Sequence, residues 1–356
     1  MTTEDIARHL GISRGTVSRA LNNRSRISEE TRRRVLDAVY ELGYEPNLAA
    51  RALVGAKTIK SAISIFSQPE YFWDEVKEGI YFAHDNLKHF GFEFELVENR
   101  IEEPEEQVAQ LYRLYENGVR ALAVAPNDPV LLDDVVRDLT ASGVSVITFN
   151  VDIPSKERLC YLGSDYYQEG RLAADTLACL MGGKGKAVAV TFSSLVQTIT
   201  HRIEGFFSVM KHYPNVNVVL ATDFLRSGHG AYEKALAFIR EHPDLNGIFV
   251  SFGILDEVAR AVEDSGLGGM VRIVGYDLSD PVEQYIRRGT IDAAICHDPI
   301  MQGYYATILL YNYAAHNHRP PANVINSKLE IVVRENLDSY TDERNQLSAL
   351  KVVFGK

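Results

Sequence analysis

Two short amphipathic segments open the chain and meet at Gly11. Ile6 and Leu10 lie four residues apart, as do Val17 and Leu21, so each segment carries a narrow apolar stripe at helical spacing. Gly11 suits the left-handed residue that ends one helix and redirects the chain into the next. The pattern therefore predicts a helix-turn-helix at the start of the chain.

Residues with short polar side chains stand where these helices should begin. Thr2 and Asp5 have the spacing of a capping box, and Ser13 is placed to cap the second helix. Ser28 is placed to cap a third helix, which Gly43 should end. The apolar face of that third helix is predicted at Val35, Leu36, Val39 and Leu42.

From residue 59 onward, short apolar runs alternate with amphipathic segments. Such alternation is typical of doubly wound parallel sheets, and the run is too long for one sheet of ordinary size, so we expect two lobes. The predicted fold class is an all-α N-terminal helix-turn-helix domain plus a two-lobed α/β core. Strands are predicted at 59–66, 92–97, 121–125, 145–149, 187–192, 216–220, 247–250, 271–275 and 291–296. Helices are predicted at 73–89, 104–116, 129–140, 166–181, 198–212, 229–240, 254–264, 281–287 and 300–313.

The charge of the 356-residue chain is distributed unevenly. Its net charge of −11 arises from 37 Lys and Arg against 48 Asp and Glu. Residues 1–57 contain 10 Lys and Arg and 7 Asp and Glu, a net charge of +3, so the remainder carries −14. The positive excess coincides with the predicted helix-turn-helix, which indicates that this segment, and not the acidic remainder, contacts DNA.

Signals for other locations and for metals are missing from the sequence. Cys160, Cys179 and Cys296 are far apart and predict neither a disulfide framework nor a zinc site. No apolar run approaches about 18 residues, and the N-terminus lacks the charged-then-apolar pattern of a secretion signal. We therefore expect no membrane span, no metal or other cofactor, and a reducing cytoplasmic location.

The second predicted helix exposes side chains suited to DNA. Long cations with small hydroxyl and amide groups between them match the phosphates and base edges of a duplex. The exposed residues of this helix are Arg14, Gly15, Thr16, Ser18, Arg19 and Asn22.

Three short motifs resemble the lactose/galactose repressor (LacI/GalR) family when taken together. They are TVSRALN at 16–22, LGYEPN at 42–47 and ARAL at 50–53. The resemblance implies a transcription regulator, usually a repressor, that binds a palindromic double-stranded DNA operator as a homodimer. It implies base reading by Arg14, Gly15 and Arg19, and a hinge helix whose Leu53 wedges into the minor groove. It also adds Ser28, Asn47 and Arg51 to the residues that contact DNA.

The core resembles ribose-type periplasmic sugar-binding proteins, which also form the core of LacI/GalR regulators. The resemblance implies a ligand in the cleft between the lobes and three chain crossings, near 160–164, 289–292 and 320–323. The expected domains are 1–45 for the helix-turn-helix, 46–57 for the hinge helix and linker, 58–340 for the core and 341–356 for a C-terminal tail. Within the core, lobe one is expected at about 58–160 and 292–321, and lobe two at about 161–291 and 322–340.

Ligands of open α/β sheets bind beyond the carboxyl ends of strands, where several informative residues stand. Aromatic faces cover the C–H faces of a sugar, and Asp, Asn and Arg bind its hydroxyls. The resemblance implies that the effector-facing residues are Phe72, Trp73, Asn150, Ser164, Arg202, Phe224, Phe252, Asp277 and His297.

The expected effector is a monosaccharide, a polyol or a sugar derivative. Asn150 stands where the ribose-type proteins commonly have aspartate, and Phe252 and His297 stand where they tend to have amides, which argues against ribose. Arg202 and His297 together leave a sugar acid or a sugar phosphate open.

Each candidate also has a purely structural interpretation. Phe72 and Trp73 suit core positions of a helix. Asp277 and His297 suit caps of the segments that follow them. Arg202 stands two residues before Glu204 and suits an ion pair with that or another nearby acid.

Two other classes of function, a transport protein and an enzyme, are alternatives to a regulator. A sugar-binding transport protein accounts for the core but leaves the first 53 residues unexplained and needs a secretion signal. An enzyme needs a phosphate-binding glycine loop after a strand or a nucleophile–base pair, and the sequence shows neither. We therefore expect no catalytic activity. The tail lacks a leucine heptad, so no assembly beyond a dimer is expected.

Overall fold

The computed structural model of the chain describes residues 3–21, 27–41, 60–90, 92–191, 197–222, 224 and 230–341. The chain forms two compact units, Met1–Thr58 with Leu87–Phe92, and Ile59–Asn86 with Glu93–Lys356. Thr2, Asn22, the hinge segment with Asn47, Arg51 and Leu53, and the tail from 342 lie outside the described residues, so the predictions made for them stay predictions.

The described residues of the N-terminal unit form α1 (Thr3–Leu10), α2 (Arg14–Leu21) and α3 (Glu29–Glu41). Gly11 joins α1 to α2 with a φ of 65°, and the Ser13 and Ser28 hydroxyls each accept a backbone N–H bond of 3.2 Å at the helix starts. The predicted helix-turn-helix and these two caps are confirmed. Among the side chains that the structure describes in this unit, the buried apolar ones are Ile6, Ala7, Val17, Ala20, Val35 and Ala38.

The first lobe of the core is built on a six-stranded parallel sheet in the order β11-β5-β4-β3-β1-β2. Its strands are β1 (Ser61–Phe66), β2 (Phe94–Asn99), β3 (Ala121–Val124), β4 (Ser145–Phe149), β5 (Cys160–Gly163) and β11 (Val324–Asn326). Its helices are α4 (Glu70–Leu87), α5 (Pro104–Glu116), α6 (Pro129–Ala141) and α12 (Pro299–His316), and a 3₁₀ turn at Lys88–Phe90 follows α4.

The second lobe repeats this arrangement with the strand order β12-β10-β9-β8-β6-β7. Only β12 in this sheet is antiparallel, against β10. Its strands are β6 (Gly185–Val190), β7 (Val216–Ala221), β8 (Leu245–Val250), β9 (Arg272–Tyr276), β10 (Ala293–Cys296) and β12 (Glu330–Val332). Its helices are α7 (Tyr166–Leu180), α8 (Gln197–Met210), α9 (Ala231–Glu241), α10 (Leu255–Asp264) and α11 (Asp280–Arg288), with α13 (Asp338–Thr341) near the end.

The chain crosses between the lobes three times, and two crossings lie later than predicted. The first crossing follows β5, at the end of the predicted range 160–164. Most of that range is β5 itself, which belongs to lobe one because it pairs with β4. The second follows β10, which stays in lobe two because it pairs with β9. The third follows β11, which pairs with β5 in lobe one. The crossings therefore lie at about 164–165, 297–298 and 327–329, and the predicted lobe boundaries at 291 and 321 are wrong.

Candidate functional site

The exposed face of α2 carries the residues predicted to contact DNA. Arg14, Gly15, Ser18 and Arg19 are exposed, and Thr16 is half-buried. The Arg19 Nε donates to the Gly15 carbonyl at 3.0 Å, so its guanidinium lies along its own helix. A Cβ on residue 15 would come within 3.5 Å of that guanidinium, which leaves room for the arginine. Contact of these residues with DNA stays a prediction.

The second candidate site is the cleft between the two lobes of the core. It encloses a cavity of about 1590 Å³ lined from both lobes and from the second crossing. This volume exceeds the several hundred Å³ of a typical small-molecule pocket, as expected for a cleft that stands open. Phe72, Arg202, Phe252, Asp277 and His297, five of the predicted effector-facing residues, line it.

A buried ion pair forms the floor of this cleft in the second lobe. Arg202 of α8 donates through Nε to Glu169 Oε2 of α7 at 2.5 Å and through Nη1 to the Ser251 carbonyl at 3.1 Å. Burial alone would raise the pKa of Glu169, but Arg202 and His297 outweigh it and hold that pKa at about 2. Glu169 is therefore charged, and its charge is balanced by the guanidinium.

Aromatic rings enclose the same guanidinium. Its Cζ lies 3.8 Å from the ring centroid of Tyr276 and 5.2 Å from that of Tyr166. Cation–π contacts of this kind stabilise a desolvated cation. Arg202 is thus held on several sides by protein groups, and its pairing partner is Glu169 and not the exposed Glu204.

His297 lies at the second crossing, between the ion pair and the open cleft. Its Nδ1 is 3.2 Å from Glu169 Oε1, and its Nε2 is 3.9 Å from Asp277 Oδ1. Burial lowers the pKa of His297, but the attraction of Glu169 and Asp277 is larger and the net shift is upward. Asp298, not His297, caps α12, through a 3.1 Å bond from the Met301 N–H.

Three residues that follow strands adopt a left-handed backbone. Asn150 directly follows β4 and has a φ of 61°, and Asp277 directly follows β9 and has a φ of 66°. Asp298 stands two residues after the end of β10 and has a φ of 55°. Non-glycine residues are uncommon in this region, and they concentrate at functional sites. The turn at Asp277 points its carboxylate toward the cavity, where burial raises the pKa of that group.

Four predicted effector-facing residues do not line the cavity. Trp73 packs against Phe66, Phe72 and Phe149 in lobe one and is 2% exposed, so its core interpretation is the one the structure supports. Phe224 is buried in the apolar core of lobe two.

Asn150 and Ser164 lie close behind the cleft. The Asn150 carbonyl accepts from the Tyr161 and Tyr166 hydroxyls, and its amide is 3.5 Å from Gln302 Oε1. Ser164 is 2% exposed, and its hydroxyl contacts the Glu169 carboxylate, which helps to lower the pKa of Glu169. Contact of either with a ligand stays a prediction.

Sequence reasoning missed two acidic residues at or behind the cleft. Glu169 and Glu75 stand inside amphipathic helices, where acidic residues are common and carry no special signal. For Glu169 the following Gly170 was the available clue, because glycine inside a helix weakens it and is usually kept for close packing.

Glycine pairs fix the helices around the cleft in both lobes. A Cβ on Gly170 would lie 1.9 Å from the Arg202 carbonyl oxygen, and one on Gly205 would lie 2.0 Å from that of Tyr167. In lobe one, Gly79 and Gly303 allow the same close approach of α4 and α12. The α7–α8 contact thereby sets the position of the Arg202 backbone relative to Glu169.

In the part of the chain that the structure describes, no group of three His, Cys, Asp or Glu side chains is arranged to hold a metal ion. Among the same residues, no helix is both long enough and apolar enough to cross a membrane.

The core is similar to known binding proteins in sequence and in fold. Residues 62–318 match the family "Periplasmic binding protein domain". The crystal structure of a sugar ABC transporter sugar-binding protein from Bacillus halodurans covers 79% of this chain and 99% of its own, with a TM-score of 0.73 and 20% identity. A solute-binding protein from Burkholderia graminis in complex with D-arabinose covers 81% and 99%, with a TM-score of 0.72 and 23% identity. These likenesses establish the fold.

Curated relatives include binding proteins and regulators. The xylose/arabinose-binding protein XylF of Sulfolobus acidocaldarius is 26% identical over 55% of this chain, and the match spans only about half, 52%, of that relative. The regulator CelR of Thermobifida fusca is 27% identical over 79% of this chain and 83% of its own. The ribose operon repressor of Halalkalibacterium halodurans is 25% identical over 78% and 80%.

The first residues decide between these two groups of relatives. Residues 2–47 match the family "Bacterial regulatory proteins, lacI family", and they contain the helix-turn-helix described above. The chain therefore belongs to the lacI family of bacterial regulatory proteins, with a periplasmic binding protein domain as its core.

Proposed function

We propose that this regulator binds a palindromic DNA operator as a homodimer and that a small sugar-like effector in the cleft changes its affinity for that operator. One observation carries the proposal, the presence in one chain of a helix-turn-helix with exposed arginines and a two-lobed core with a polar cleft. Such a regulator acts where the chromosome is, so we place it in the bacterial cytoplasm. We propose no catalytic activity for it.

The lining of the cleft supports a polyhydroxylated effector. Tyr71, Phe72 and Phe252 offer flat faces for the C–H surfaces of a sugar ring. Asp277 and His297 offer polar atoms for its hydroxyls. Arg202 is already paired with Glu169, which removes the main reason for expecting a sugar acid or a sugar phosphate.

We propose that residues 46–53 transmit the state of the cleft to DNA. Within this segment, Pro46 and Asn47 precede a predicted helix of about seven residues, which Asn47 is placed to cap. Helices so short are marginal alone in water. Two copies in a dimer can supply the missing apolar surface, so a change in how the lobes hold them would alter operator affinity without altering α2.

The test is DNA binding by the full chain followed by effector titration. Palindromic duplexes are selected from a random pool, and retardation is measured with and without a panel of hexoses, pentoses and polyols. We expect a selected site bound at a stoichiometry of two chains per palindrome, and at least one member of the panel that changes the affinity. A monomer that ignores every duplex but binds a sugar would instead favour a transport-type binding protein.

The pocket is tested on the same footing with Asp277→Ala. We expect this variant to lose the effector response and to bind the operator as the effector-free parent does, because Asp277 lines the cavity and the helix that follows it is capped by Ser279. Unchanged effector affinity by calorimetry would remove Asp277 from the site.

A further inference from the structure

The cleft is strongly acidic. Among its described lining residues, eleven are Asp or Glu and two are Arg. Three of the acids, Asp74, Glu283 and Glu330, have a Lys or Arg partner within 4 Å. Burial raises the pKa of Glu257 to about 8 and that of Glu75 to about 7, so these two carboxyl groups are partly protonated near neutral pH. The other unpaired acids of the lining still leave an excess of negative charge, which favours cations and disfavours anions in the cavity.

The one arginine at the cleft floor does not offset this excess. The Arg202 charge is neutralised by Glu169, whose Oε2 lies 2.5 Å from its Nε. The other lining arginine, Arg100, is exposed and lies 3.4 Å from Glu103. Each guanidinium therefore already faces a carboxylate of the protein, which weakens its attraction for a carboxylate or phosphate of a ligand.

Helix starts account for some of the acidic residues but not for the central pair. Asp256 and Glu257 stand in the first turn of α10, where negative charge is favourable. Glu75 stands beyond the first turn of α4 in lobe one, and Asp277 follows β9 in lobe two. Asp277 faces His297, whose Nε2 lies 3.9 Å from its Oδ1, and in the described part of the chain neither carboxylate has a Lys or Arg within 4 Å.

Glu75 and Asp277 also act on each other across the cleft. Burial raises the pKa of Glu75 to about 7, and the negative charge of Asp277 is the next largest cause. Two partly buried carboxyl groups on opposite lobes thus each disfavour the ionised form of the other.

A separate observation also indicates a ligand at this spot. The His297 side chain is 4% exposed, lines the cavity, and has no hydrogen-bond partner at Nε2 among the described residues. Asp277 Oδ1, at 3.9 Å, is beyond hydrogen-bond distance. A buried polar atom without a partner is costly, so it indicates a group that is supplied from outside the chain.

We propose that the effector carries a positively charged nitrogen, as an amino sugar or amino polyol does, and places it between Glu75 of one lobe and Asp277 of the other. This inference rests on the proposed function only in taking the cleft as the effector site. The hydroxyls of such a ligand face His297, and its C–H faces contact Tyr71, Phe72 and Phe252. A single cation that contacts both carboxylates also draws the two lobes together.

The experiment compares probes that differ only in charge. Glucose, glucosamine and glucuronate, and the corresponding galactose and mannose sets, are titrated into the full chain without DNA, with thermal unfolding and calorimetry as readouts. We expect at least one amino sugar to bind about tenfold more tightly than its neutral counterpart at low salt, with the difference shrinking at high salt. The uronates should bind most weakly.

Two variants and one control locate the charge preference. Glu75→Gln and Asp277→Asn should each remove most of the tenfold preference, and their unfolding midpoints without ligand report whether they fold. The control is Glu95→Gln. Glu95 is an exposed residue of β2 that does not line the cleft, so its substitution should leave the preference for amino sugars intact.

Neutral or acidic probes that bind as tightly as their amino counterparts would overturn the inference, and so would a panel in which no amino sugar binds. Operator retardation measured without any probe tests the proposed function separately, so either proposal can fail while the other stands.

Discussion

Arg202 Nε lies 2.5 Å from Glu169 Oε2, and neither side chain is more than 8% exposed. The pair is therefore part of the interior of lobe two as well as the floor of the cleft. A buried ion pair of this kind contributes little compared with an apolar replacement, but removal of one partner leaves an uncompensated charge. This asymmetry makes the two residues poor probes of ligand binding and good probes of stability.

We expect Arg202→Ala to lower the free energy of unfolding by about 3–5 kcal/mol, because it leaves Glu169 buried and unpaired. Chemical denaturation of the full chain, monitored by fluorescence, measures this loss of unfolding free energy. The control is Arg137→Ala on α6. Arg137 pairs with Asp133 and Asp134 but is 53% exposed, so we expect its loss to lower the free energy of unfolding by about 1 kcal/mol or less. The double variant Glu169→Leu with Arg202→Met should lose less than Arg202→Ala alone, and a larger loss would contradict the charge explanation.

The pH dependence of stability should reveal Glu75. Because its pKa is raised from 4.5 to about 7 in the folded protein, the folded state binds this proton more tightly than the unfolded state does. The stability contributed by that proton is present below pH 4.5 and is lost as the pH rises through 7.

Glu75→Gln should therefore flatten the fall of stability between pH 5 and 8 and make the protein more stable than the parent at pH 8, by roughly 1–2 kcal/mol. Thermal unfolding across this range measures it, with Glu95→Gln as the exposed control. A parent whose stability does not fall over this range, or a variant that is less stable at pH 8, would contradict the assignment.

Gly170→Ala should open the contact between α7 and α8. The new Cβ would lie 1.9 Å from the Arg202 carbonyl oxygen, which cannot move without its helix. Overpacking of this kind costs about 1–3 kcal/mol and occasionally more. Gly268→Ala is the matched control, because its Cβ would meet only side-chain atoms at 3.7 and 3.9 Å, and its stability should change by no more than about 0.5 kcal/mol. Equal effects at the two positions would show that the crossing is not tight.

Arg19→Ala should weaken binding to a selected operator by about 1–3 kcal/mol and binding to random DNA by less, if the arginine reads a guanine edge. Its Nε bond to the Gly15 carbonyl shows that it rests on α2, from which a rotamer change extends it outward. Retardation on both kinds of duplex at one salt concentration measures the difference. Equal losses would identify Arg19 as a phosphate contact only.

Leu53→Ala, or glycine at both Ala49 and Ala50, should weaken operator binding while effector affinity without DNA stays normal. The substitutions act on the segment proposed to form a hinge helix and leave the cleft lining unchanged. Phasing and retardation assays of DNA bending provide the readout. Variants that bend and bind the operator as the parent does would contradict the hinge proposal.

The sequence predicted the elements better than their partners. Helix Pro104–Glu116 and strand Ser145–Phe149 begin and end where the periodicity placed them, because local pattern and a helix-starting proline suffice there. The second crossing was misplaced because β10 is assigned to a lobe by its pairing with β9, which no local pattern records.

The site shows the same division between local and distant information. Asp277 and His297 could be predicted from the sequence because each directly follows a strand, and the carboxyl edge of the sheet brings both to the cleft. Phe72 and Trp73 are adjacent on α4, where successive side chains point about 100° apart, so Phe72 lines the cavity while Trp73 packs into lobe one. Glu169 was missed because its partner Arg202 stands 33 residues away.

The second crossing places His297 and Asp298 on one of the three short connections between the lobes. Any turn of one lobe about the other must be taken up by bond rotation within these few residues. We expect an effector bound at His297 to contact the connection about which the lobes would turn. A small rotation at this point would displace the far ends of the lobes by a larger distance, so effector binding could move the lobes without a relay of side chains.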